Sequence, residues 1–116
     1  MSYHHELENA KKFVESLKEY LPSCGIALLK MNDEDLKDSL FEDGSLNNTF
    51  FYLTEVVLEY AKDRWVITDE VFEKAVHLGK WIRGLEDTKK WSVESVRNDK
   101  EWRDIMSLAD EIMAEL

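Results

Sequence analysis

TDEVFEKAVHLGKWIRGLE, residues 68–86, decides the fold. Val71, Phe72, Ala75, Val76, Gly79 and Ile82 recur at the three- and four-residue spacing that gathers side chains on one face of a helix. Thr68 stands where an N-cap is wanted, because its hydroxyl can accept a free first-turn N–H. Asp69 and Glu70 then put negative charge at the positive end of the helix dipole. A helix is predicted over about 69–86.

The same periodicity extends in both directions. Leu7, Ala10, Val14, Leu17 and Leu21 form a stripe widened by Phe13 and Tyr20, so a first helix is predicted near 3–21, stopped by Pro22. The stretch 25–31 contains Ile26, Leu28 and Leu29 but has no convincing strand partner, and a buried helical turn or loop is favoured. Asn32 caps a second helix near 33–42, with Asp33, Glu34 and Asp35 in its first turn and Leu36, Leu40 and Phe41 as its apolar face. A third helix, near 48–63, is apolar almost all round, through Phe50, Phe51, Tyr52, Leu53, Val56, Val57, Leu58, Tyr60 and Ala61. Such a helix is expected at the centre of a bundle. A helical turn is expected after Ser92. Asn98 and Glu101 have capping-box spacing ahead of a last helix near 99–115, with Ile105, Leu108, Ala109, Ile112, Met113 and Leu116 inward. The expectation is an all-α chain: residues 1–116 as a single compact domain, a bundle of about five helices with short links.

The totals agree with that fold class. The chain has 116 residues, 44% of them hydrophobic, with four Gly and one Pro, too few breakers for a barrel of short strands. Cys24 is the single cysteine, so no internal disulfide can form, and a small buried thiol is its expected role. The first residues are polar, which predicts no signal peptide, and no apolar run approaches the ~20 residues of a membrane span. A cytoplasmic protein with no membrane contact is expected.

Charge is unevenly distributed. The formal net charge is -10, which disfavours direct binding of nucleic acid or anionic lipid. Residues 32–48 carry six acids, Asp33, Glu34, Asp35, Asp38, Glu42 and Asp43, against the single base Lys37. These six are the first candidate for a partner-binding face. Residues 78–103 are basic and hold Trp81, Trp91 and Trp102. Lys80, Trp81, Arg83, Lys89, Lys90, Trp91 and Arg97 form the second candidate, since Trp and Arg are frequent interface anchors. The alternative for this segment is that its tryptophans close the edges of the core.

Chemistry-bearing patterns are sparse. DGSLNN, residues 43–48, opens like a calcium loop, with Asp43, Ser45 and Asn47 at alternate places. The twelfth position is Thr54, Glu55 comes one residue late, and a single carboxylate cannot balance a divalent cation. The stretch is better read as a helix–helix turn. His77 shares a helix face with Glu73 and Trp81 but has no further ligand at metal spacing. No phosphate-cradling glycine motif and no nucleophile elbow is present.

Asp69, Glu70 and Glu73 in DEVFE, with Glu101 and Asp104 in EWRD, resemble the E-E-x-x-E … E-x-x-D pattern of MazG-type nucleotide pyrophosphatases. Asp69 stands in place of the first Glu. The resemblance implies an all-α magnesium enzyme acting on nucleoside triphosphates, with Glu70, Glu73, Glu101 and Asp104 holding the metal. Both patches lie in the first turns of their helices. Antiparallel neighbours would hold them about 20 Å apart, so the site requires parallel helices.

By elimination, the expected function is non-enzymatic and free of cofactors and metals. It is that of a small acidic protein, of the microbial or phage inhibitor, immunity or adaptor kind, binding a partner protein with a basic surface. A MazG-like enzyme is the alternative. A self-associating helical protein that shares its apolar third helix between subunits is the third reading.

Overall fold

The computed structural model describes residues 3–38, 52–86 and 88–116. Among them are six α-helices: α1 (Tyr3–Tyr20), α2 (Asp33–Lys37), α3 (Glu55–Asp63), α4 (Asp69–Leu85), α5 (Val93–Asn98) and α6 (Lys100–Glu115). Two 3-10 turns, Leu21–Cys24 and Ile26–Lys30, join α1 to α2. The fold is all-α, with four long helices and two short ones among the described residues.

The stretch 68–86 forms its helix as expected. The Thr68 hydroxyl accepts the Val71 N–H at 3.1 Å. Val71, Ala75, Leu78, Gly79, Ile82 and Leu85 are buried, and Phe72 and Val76 pack half-buried beside them. This face lies against α6, whose Trp102, Ile105, Met106, Ala109 and Ile112 are fully buried. The two helices run antiparallel. Lys74, near the start of α4, reaches Glu111 and Glu115 at the end of α6, at 2.9 and 3.0 Å, while Trp81 reaches Glu101 at its start.

α6 also seats the 3-10 turns. Its Asp110 accepts the Ile26 N–H at 3.2 Å, and Gly25 sits against the same carboxylate, with which a Cβ would collide. That contact docks the 3-10 turns. Cys24 and Leu28 lie fully buried beneath them, whereas Ile26, a candidate for burial in the sequence, is 46% exposed. α1 packs on α3. The Tyr60 hydroxyl donates to the Glu6 carbonyl at 3.3 Å, and Phe13 meets the Tyr60 ring edge-on at 5.6 Å.

Two details differ from expectation. The helix placed at 48–63 is broken ahead of Glu55, because Thr54 is extended (φ -70, ψ 147); Tyr52 is helical before the break and α3 begins after it. It is not the central helix either: Val56 is 79% exposed, and α6 holds the centre. The capping box of Asn98 and Glu101 does not form. Asn98 ends α5 and donates its amide to the Glu94 carbonyl, so the adjacent Asp99 caps α6 by accepting the Glu101 N–H at 3.0 Å. Of the helix placed at 33–42, Asp33–Lys37 is α-helical, and residues 39–42, with Leu40 and Phe41, lie outside the described residues, as do residues 43–48 with their calcium-like spacing.

Gly79 marks the closest approach of α4 to the chain ahead of α3. A Cβ there would stand 3.0 Å from the Leu53 carbonyl oxygen and 3.1 Å from its Cβ, whereas a Cβ on Gly84 meets nothing within 4 Å. Opposite outcomes are therefore expected from one chemical change. Gly84→Ala should raise unfolding free energy by about 0.5 kcal/mol through helix propensity. Gly79→Ala should lower it by about 1 kcal/mol as the backbones are forced apart. Urea unfolding of both variants checks this, and equal gains would contradict the close packing.

Candidate functional site

The acidic run begins with a cap. Asn32 accepts the Asp35 N–H through its side-chain oxygen at 2.8 Å, which starts α2 and projects Asp33, Glu34 and Asp35 from its first turn. Leu36, fully buried, anchors the helix. Asp33, Glu34, Asp35 and Asp38 are all exposed. Asp33 is paired across the surface with Arg97 of α5 at 2.6 Å, and Arg97 also donates to the Met31 carbonyl. The two candidate surfaces read from the sequence thus adjoin, and an arginine of one holds an aspartate of the other. Glu42 and Asp43 lie outside the described residues.

The tryptophan-rich segment is built around Glu101. Its carboxylate accepts the Trp81 indole N–H at 2.6 Å on one oxygen and the Lys90 ammonium at 2.5 Å on the other. Those bonds, with Lys90 the larger influence, hold the Glu101 carboxyl below the usual range, and the same pairing raises Lys90. Trp102 is fully buried, and its indole donates to the Lys90 carbonyl at 2.7 Å. Trp91 leans on Trp102 with ring centroids 5.8 Å apart. Trp102 therefore belongs to the core and Trp81 and Trp91 pack half-buried at its edge, while Lys80, Arg83 and Lys89 are exposed.

The carboxylates that resemble the pyrophosphatase pattern are not brought together. Because α4 and α6 run antiparallel, Glu70 lies near Glu115 whereas Glu101 lies near Trp81. That is a separation of about 16 Å along α4. Glu70 is bound to Lys74 at 3.0 Å and Asp104 faces Lys100 at 3.6 Å. Among the described residues no group of three or more His, Cys, Asp or Glu side chains is placed to hold a metal ion. His77 is exposed, its ring 5.3 Å from that of Trp81. Burial, reinforced by the charge of Asp110, pushes the Cys24 thiol up to about 12, so it stays protonated and inert.

A further surface lies at the other end of α4, in the turn 64–68. The Val66 N–H bonds back to the Ala61 carbonyl at 3.1 Å and the Trp65 N–H to the Lys62 carbonyl at 3.0 Å. This is the Schellman pattern that closes a helix C-terminus, and it requires a left-handed residue, usually Gly. Here that residue is Trp65, with φ at 64° and 87% of its surface exposed. Sequence reasoning passed over it as part of a link. The available signal was a tryptophan in a short connection flanked by charges, KDRWVITD, with no periodic face to join.

Lys62, Arg64 and Lys74 stand near this turn, and each is engaged. Lys62 lies over the Phe72 ring at 4.5 Å. Arg64 lies over Tyr60 at 3.5 Å and pairs with Glu6. Lys74 is shared by Glu70, Glu111 and Glu115, which together raise it. Asp63, Asp69 and Glu73 remain exposed around it.

The Glu101 network has a defined pH signature. A depressed folded-state carboxyl contributes stability above its unfolded value of about 4.5 and loses it as pH falls through the lower folded value. Glu101→Gln should therefore lower the unfolding temperature by about 3 °C at pH 7, with the gap to wild type narrowing as pH falls below 4.5. Thermal unfolding across pH 3–7 checks this, and a constant gap would contradict it. Comparison with protein-family models, with curated proteins and with solved structures gives no match, so the reading of these surfaces rests on their own chemistry.

Proposed function

We propose that the chain is a non-enzymatic protein-binding protein that docks a basic surface of its partner, in the manner of an inhibitor, immunity or adaptor protein. The observation that supports this is the local distribution of charge. Around the α3–α4 turn the bases Lys62, Arg64 and Lys74 are engaged by rings and carboxylates, while the exposed bases Lys80, Arg83 and Lys89 lie toward the far end of α4. Glu34, Asp35, Asp63, Asp69 and Glu73 face solvent. With a formal net charge of -10, the outward field is negative. Such a field steers a basic partner into contact and repels phosphate backbones.

The pyrophosphatase reading would need Glu70, Glu73, Glu101 and Asp104 around one magnesium ion, and the antiparallel pairing of α4 and α6 keeps them apart. Titration with magnesium is accordingly expected to leave the unfolding temperature unchanged.

The test is retention of proteins by the immobilised chain. The wild type should retain a stoichiometric partner of high isoelectric point that elutes with salt. A variant carrying Glu34→Gln, Asp35→Asn, Asp63→Asn and Asp69→Asn should lose at least tenfold in affinity for it. Equal retention by the two, or a partner that is itself acidic, would overturn the reading.

A further inference from the structure

Trp65 occupies a position that the fold alone does not explain. Left-handed backbone disfavours a bulky side chain, because Cβ crowds the following carbonyl. The Schellman closure of α3 nonetheless imposes φ 64° at this residue. An aromatic ring could offset that strain by packing, yet Trp65 is the most exposed of the large hydrophobic side chains among the described residues, at 87%. Glycine would close the same helix without strain, so the indole destabilises its own position and returns nothing to the core. Strain of this kind points to a contact made outside the chain.

The surroundings define that contact. Beside the indole lies an open cleft of about 360 Å³ between the 64–68 turn, the start of α4 and the end of α6. Val66 and Val71 supply an apolar wall, and Asp69 and Glu115 supply carboxylates. Among the described residues the one base lining it, Lys62, is held over the Phe72 ring. Just beyond, Glu70, Glu111 and Glu115 share the single cation Lys74. An apolar wall, an aromatic face and an excess of carboxylate suit a long aliphatic side chain that ends in a cation.

We infer that Trp65 and the cleft beside it are the socket for an arginine or lysine side chain of the basic partner. The stem lies against Val66 and Val71. The cation lies over the indole, and Asp69 and Glu115 complete its neutralisation. This rests on the proposed binding of a basic protein, and it moves the anchoring contact from the acidic run of α2 to the turn between α3 and α4.

The test is calorimetric titration at low salt with a hexa-arginine peptide and its neutral hexa-citrulline counterpart, together with thermal unfolding of the same proteins. Wild type binds hexa-arginine and not hexa-citrulline. Trp65→Gly weakens that binding by about fivefold and raises the unfolding temperature by about 3 °C, whereas Trp65→Tyr keeps most of the affinity. Equal affinity in Trp65→Gly overturns the socket while leaving a basic partner in place. No binding of hexa-arginine by wild type removes the basic-partner reading as well. A lower unfolding temperature for Trp65→Gly shows that the ring is structural and overturns the inference. Sedimentation provides the remaining arm: a wild-type dimer that Trp65→Gly dissolves makes a second copy the occupant and overturns it too.

Discussion

The fold depends on the antiparallel seating of α4 against α6. One end of the seam is closed by Lys74 with Glu111 and Glu115, and the other by Trp81 and Lys90 on Glu101. Between them the interior is apolar, from Ala75, Leu78 and Ile82 to Ile105, Met106 and Ala109, all fully buried. Trp102 contributes most. Burying an indole removes about 150–250 Å² from water, worth roughly 4–6 kcal/mol, and its one polar atom is satisfied by the Lys90 carbonyl. The ion pairs that close the ends are partly solvated and add less than this interior, but they fix direction and register. The 3-10 turns dock on α6 through Asp110, the chain ahead of α3 meets α4 at Gly79, and Arg97 with Asp33 ties α5 to α2.

That direction has consequences at the surface. It gathers the start of α4 and the end of α6 at one end of the molecule, beside Trp65. Their acids collect around a turn where the nearby bases are engaged. It also separates the first turns of the two helices, and with them the carboxylates that a shared magnesium ion would need. One packing choice therefore gathers acids at one end and keeps the four carboxylates of the metal pattern apart.

Much of the fold was legible because it is local. Thr68 and Asn32 cap helices as expected, a helix follows Ser92, and the buried face of α4 is the one its periodicity marked. The misreadings arose where neighbours compete. Asn98 and Asp99 are both good caps, and the end of α5 at Asn98 leaves the role to Asp99. The apolar run through Val56 suggested a central helix, but an extended Thr54 starts α3 late and Val56 faces solvent. Contacts between distant residues were out of reach. Nothing in the spacing of Asp33 and Arg97 announces their pairing, and a tryptophan in a link is expected inside until the fold leaves it outside. The acidic run itself was readable as charge. That Arg97 answers Asp33 from α5, and that Lys62, Arg64 and Lys74 are engaged around the α3–α4 turn, became visible only in three dimensions.

Native-state hydrogen exchange tests the primacy of the α4–α6 pair most directly, since amides in the last unit to open exchange only through global unfolding. The account predicts that amides at 75–82 and 105–112 are the slowest in the protein and share one opening free energy equal to that of global unfolding. If amides of α1 or α3 outlast them, or if α6 opens while α4 stays protected, the pair is not what holds this fold together.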